Sequence, residues 1–272
     1  MRHLHPVCLC ILMCLGCKDA SDRGGTSPSS APSVQDAQPA SAKSDTHDAL
    51  DAGLAAEIEK RITVARGADA RARAQAILEL GKAAENDPAA AALVMPVLTE
   101  LLNDADPAVR YRVIRAAGEI GDSRKYRSRD LQASGHPLLA HPELLSALVE
   151  KLDDPERDVR EALPRTLGKI AETNLPAAEI MVPKIVPLLD SAQPGTRAAA
   201  AEAILHIAGR MQKAWGALRS SSDAADVALA GRIAQLFPPA VPRLESMLKD
   251  EDAEVQREAR SALDEIAPYS AK

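Results

Sequence analysis

The chain has 272 residues, enough for one large domain, two ordinary ones or a stack of small repeats. Hydrophobic residues make up 46% and aromatics only 2%, which excludes a ring-rich β-sandwich or barrel, an aromatic-lined pocket and a base-stacking surface. The 33 basic and 39 acidic residues leave a formal charge of -6, which opposes a whole-surface nucleic-acid binder. Alanine is roughly a fifth of the chain, a composition suited to closely packed helices.

All four cysteines, Cys8, Cys10, Cys14 and Cys17, fall at the start. Cysteine therefore cannot staple the body, whether by disulfide or by metal. Arg2 precedes an apolar run from Val7 to Gly16. The run is too short to span a bilayer and fits an export signal. Its end, Cys14-Leu15-Gly16-Cys17, resembles the bacterial lipobox, with Cys14 where a leucine is usual. That resemblance implies a signal over 1–16, lipidation of Cys17 and a protein anchored to a membrane of the bacterial envelope. Residues 17–48 are rich in Asp, Ser, Pro, Ala and Gly and lack apolar periodicity. They read as a disordered tether with a reach of roughly 30 Å.

The rest, 49–268, is repetitive, with a short tail at 269–272. Segments 95–110, 145–160 and 241–256 align without gaps, and a fourth copy fits around Leu189, Thr196, Arg197 and Ile207. A looser copy lies at 50–84. Leu102, Leu152 and Leu248 share a column, as do Asp104, Asp154 and Asp250, and Val109, Val159 and Val255. Each copy predicts two helices around an acidic turn, with apolar residues at helical spacing on both sides. Asp106 and Asp252 are placed to cap second helices, and Pro107 suits a first turn. Pro183 and Pro187 should bend a first helix. Residues 122–140 interrupt the period, and 209–237 lengthen the next gap, continuing or adding helices.

The motif Asp-x-x-x-x-Val-Arg followed by small residues is carried by Asp104–Arg110 with Ala116-Ala117-Gly118, and by Asp154–Arg160 with Gly168. It resembles HEAT repeats, especially the short bacterial HEAT-like class. The resemblance covers about 50–268 and implies an all-α solenoid of about five to six stacked antiparallel helix pairs. It also implies a role for the column Arg110, Arg160 and Arg197: each Arg bonds the turn Asp of a neighbouring repeat. Without the resemblance, the column could equally be an anion-binding row. Gln256, in the same column, suits a terminal repeat.

The second helices should line the concave face, with Tyr111, Arg112, Arg115, Glu119, Glu161, Arg165, Lys169, Arg257 and Glu258 towards solvent. Tyr111, Arg112, Arg115, Arg165 and Lys169 are the candidate partner-binding residues. An exposed Tyr among Arg side chains is a common interface anchor, and the strip would attract an acidic peptide. The insertion holds a second basic run, Arg124, Lys125, Tyr126, Arg127 and Arg129, able to meet acidic head groups or an acidic partner. His136 and His141 flank it with no Cys and no evident carboxylate partner, so no metal site is expected. Nucleophile elbows, phosphate loops and metalloprotease motifs are absent from the sequence. The expected function is a membrane-anchored, non-enzymatic scaffold without cofactor, binding a protein or peptide partner and not nucleic acid. The HEAT-like resemblance leaves two alternatives: an enzyme such as a DNA glycosylase or bilin lyase, or an envelope structural protein with no discrete ligand.

Overall fold

The computed structural model describes residues 50–122, 135–172 and 174–270, and every regular element among them is a helix. The helices pair in sequence: α1 (Ala52–Ala65) with α2 (Ala70–Asn86), α3 (Pro88–Leu101) with α4 (Pro107–Gly121), α5 (Pro142–Glu150) with α6 (Arg157–Ala171), and α7 (Leu175–Ile185) with α8 (Pro194–Arg219). After α9 (Ala224–Ala234) comes the last pair, α10 (Val241–Met247) and α11 (Ala253–Ser270). The second helices stack α2 on α4 on α6 on α8 on α11. This is an all-α solenoid of five pairs with one extra helix. The expected signal, Cys17 and the tether lie outside the described residues.

Helix starts follow the acidic turns. Asp51, Asp69, Asp87, Asp106 and Asp252 each accept a free N–H of the helix that follows. Pro183 and Pro187 change the helix type: α7 ends at Ile185 and the chain tightens into a 3-10 turn over Val186–Asp190. Pro187 has no N–H to donate one turn back.

One polar module repeats at the turns. Arg110 donates through Nε and Nη2 to both Asp154 oxygens, at 2.8 and 2.7 Å. Its Nη1 donates to the Asp104 and Ala105 carbonyls of its own turn. Asp154 Oδ1 also accepts the Glu156 N–H. Arg73 repeats this with Asp104, and Arg197 with Asp250. Burial pushes the Asp104 and Asp154 carboxyls up, but the Arg forks and turn N–H groups hold both below the usual carboxylate range. The column is thus a set of links between layers rather than an anion row. Arg160 departs from this. Its Nη1 still bonds the Asp154 and Pro155 carbonyls, but the next turn has Ser191 where an Asp would stand. Among the described residues, the other edge of the Arg160 fork meets no carboxylate and lies against Gly195. Gln256 donates only to its own turn, at the Asp250 carbonyl.

Glycines let successive second helices approach. A Cβ on Gly81 would sit 2.9 Å from the Ala116 methyl, and one on Gly168 would sit 3.0 Å from the His206 carbonyl oxygen. Val109 and Val159 are fully buried between layers.

Two expected boundaries shift. The insertion expected to run to 140 ends earlier: a 3-10 turn spans Pro137–Ala140, and His136 and Leu138 are buried. Residues 123–134, with Arg124, Lys125, Tyr126, Arg127 and Arg129, lie outside the described residues. The tail drawn from 269 begins later, because α11 runs to Ser270 and Tyr269 is 5% exposed. Its ring meets Trp215 and Phe237, each at 4.7 Å between centroids, and its hydroxyl donates to the Ala208 carbonyl at 2.6 Å. The long α8 and the added α9 account for 209–237, and with α11 they bury three of the chain's five aromatic residues.

Candidate functional site

The exposed side of α4, α6, α8 and α11 forms an open groove of about 980 Å³. The small residues facing neighbouring layers direct the longer side chains of each helix away from the stack. Equivalent positions fall in rows across the groove: Arg115 on α4 and Arg165 on α6, then Glu119 and Lys169 one turn later. Of the nine positions expected to face solvent here, eight line the groove: Tyr111, Arg115, Glu119, Glu161, Arg165, Lys169, Arg257 and Glu258. Arg112 is exposed but lies outside the lining. Four of the five candidate binding residues are therefore brought together.

Two features of the expected strip need correction. Tyr111 is half-buried, packed against the core, rather than fully exposed. The basic strip is also locally balanced. Arg115 Nη2 lies 3.4 Å from Glu119, and Lys169 Nζ lies 3.8 Å from the same carboxylate and 3.6 Å from Asp122. Arg210, a lining residue that the helical pattern did not single out, pairs with Glu172 at 2.8 Å. It lies where α8 outruns the repeat length, so no repeat column pointed to it. Arg165 has no ion-pair partner among the described residues.

The histidines have structural surroundings. His136 Nδ1 accepts the Leu138 N–H and starts the 3-10 turn. Burial pushes its pKa down to about 4, against a smaller opposing effect from a bond to the Gly121 carbonyl. His141 does have a carboxylate partner, Glu143, at 2.9 Å. His206 lies 3.5 Å from Glu202, one turn back on α8. Among the described residues, no three His, Cys, Asp or Glu side chains are grouped to hold a metal ion, and no helix is long and apolar enough to cross a membrane.

Residues 58–128 match the family model for HEAT repeats. That match falls on α1 to α4, where the Arg–Asp links begin. This stretch of the chain is HEAT-like. A solved structure shares the fold of this chain. A TOG structure from work on TOG–tubulin binding specificity is similar at a TM-score of 0.51 and 16% identity, over 79% of this chain and 73% of that one. An engineered protein matches at 0.43 and 22% identity, over 78% and 97%. A designed armadillo repeat protein in complex with the peptide (KR)4 matches at 0.41 and 20%, over 77% and 99%. No curated protein matches the sequence.

Proposed function

We propose that this HEAT-like repeat protein is a membrane-anchored, non-enzymatic scaffold that holds a protein or peptide partner in the groove of α4, α6, α8 and α11. The groove carries the proposal: four successive second helices contribute long polar side chains and a half-buried Tyr111 to one continuous concave surface. Extended surfaces of this kind are what stacked helix pairs offer to protein ligands. The anchor is Cys17, at the end of the lipobox-like segment, which places the body at a membrane of the bacterial envelope.

Photo-crosslinking in intact membranes tests the binding reading. A crosslinking residue at Arg115 or Arg165 should capture one discrete partner, and the same residue at Leu93 on α3 should not. Equal capture from both faces overturns the reading. Cys17→Ser should leave the protein unprocessed or release it from membranes, read by fractionation and intact mass. An unmodified Met1 start in a cytoplasmic pool overturns the anchor.

A further inference from the structure

The groove is electrically divided along the helices. Glu156, Asp158, Glu161, Glu254 and Glu258 line the half nearer the helix N-termini, where Arg257 is the one lining cation, and Glu202, level with Arg115 and Arg165 along the helices, adjoins these acids in a neighbouring recess. Arg157 and Arg160 stand at the rim, in an adjoining recess. Six carboxylates therefore face three guanidinium groups, and one of these, Arg160, is tied by its Nη1 to the carbonyls of its own turn. The other half holds Arg115, Arg165, Lys169 and Arg210, and three of these four are already paired with acids. The excess charge of the groove is thus negative and lies in one band. The band is continuous across layers: Arg157 on α6 pairs with Glu161 at 2.6 Å and also comes within 4.0 Å of Glu254 on α11, past the start of α8. Glu156 and Asp158 are exposed and have no ion-pair partner among the described residues.

We infer that the groove's ligand is an extended, cationic protein segment lying along this band. The inference rests on the concave-face reading above and reverses the acidic partner expected from sequence. The sequence showed the Arg and Lys positions, but only the fold shows that acids on α4 and beside it balance them. The spacing of the cations follows from geometry. Packed helices lie about 8–10 Å apart, and an extended chain rises about 3.3 Å per residue, so a ligand crosses one layer about every three residues. A Lys or Arg at every third position would meet carboxylates of α6, α8 and α11 in turn. Arg157 and Arg257 do not block this. Their side chains are 69% and 63% exposed, and ion pairs so open to water exchange partners at little cost.

The test uses the purified full-length protein in detergent and two fluorescein-labelled peptides, three repeats of Lys-Ala-Ala and three of Glu-Ala-Ala, read by anisotropy. The Lys peptide should bind at least about tenfold tighter than the Glu peptide and weaken as salt rises from about 50 to about 300 mM. The combination Asp158→Asn, Glu161→Gln and Glu258→Gln should weaken it about tenfold, with helical circular dichroism and Tm retained to show that the fold survives. If the Glu peptide binds tighter and Arg165→Ala weakens it, the cationic ligand is wrong and the concave face stands. If the Lys peptide binds but ignores the triple change, the acidic band is overturned as the site, and the crosslinking experiment decides the concave face separately. If neither peptide binds, the cationic ligand is overturned, and the crosslinking experiment decides the concave face separately.

Discussion

Asp154 and Arg110 are the most buried ion pair among the interlayer links, with side chains 1% and 8% exposed. Removing one partner leaves the other charge stranded, so Asp154→Asn should cost about 3–5 kcal/mol, measured by urea unfolding. Ser191→Asp should do the opposite. It would place a carboxylate at the turn position that the Arg73, Arg110 and Arg197 forks bond in their neighbouring repeats, and should stabilise by about 1 kcal/mol. A Tm unchanged by Ser191→Asp would mean that Arg160 is satisfied by water. The linked Asp carboxyls sit below their usual pKa in the folded chain. Their contribution is therefore present above the unfolded value, near 4, and is lost as pH falls through the folded values. The Val-Arg columns made three of these Arg positions readable in advance. Arg73 was not, because it lies in the looser copy at 50–84, with Gly67 and Ala72 where the motif has Asp and Val.

At the scale of helices, glycine has opposite meanings in two places. Gly168 is mid-helix in α6, where alanine would ordinarily gain roughly 1 kcal/mol of propensity. Its missing Cβ is where the His206 backbone of α8 passes, so Gly168→Ala should lower Tm by pushing two layers apart. Gly216 in α8 faces nothing within 4 Å, and Gly216→Ala should raise stability by about 0.5–1 kcal/mol. Both are alike to a propensity scale, and thermal melts of the two variants should move in opposite directions. The same limit applies to Pro187. Its missing N–H marks an interruption in a helix, but neighbouring layers decide whether the chain bends or tightens into a 3-10 turn.

Over the whole molecule, the end of the stack depends on Tyr269. Truncation after Pro268 would remove the ring shared by Trp215 and Phe237 and the bond to the Ala208 carbonyl. It should destabilise by about 3–5 kcal/mol. If Tm stays unchanged, the aromatic group is not the cap of the stack. His136 adds a pH dependence. Above pH 6.5 it is neutral folded and unfolded, but below 6.5 the unfolded chain takes up a proton that the folded chain refuses until about pH 4. Stability should therefore fall across that window by about 3 kcal/mol. In His136→Asn, which keeps a capping side chain without titrating there, the fall should be smaller by that amount.

Helix pairs, acidic turns, the buried valines and eight of the groove's lining residues were legible in the sequence. Each depends on spacing within one repeat, and periodicity reports which face a residue takes on its own helix. Tertiary structure alone decided what lies across from that face. It brought Lys169 to Glu119, left Arg160 without an acid, drew Tyr269 from the expected tail into the core and gathered acids of three layers into one band. Those outcomes depend on distances between layers dozens of residues apart, and on glycines whose role shows only when a second backbone lies against them. A repeat pattern specifies the faces, while the packing of one copy on the next sets the charge that a ligand meets.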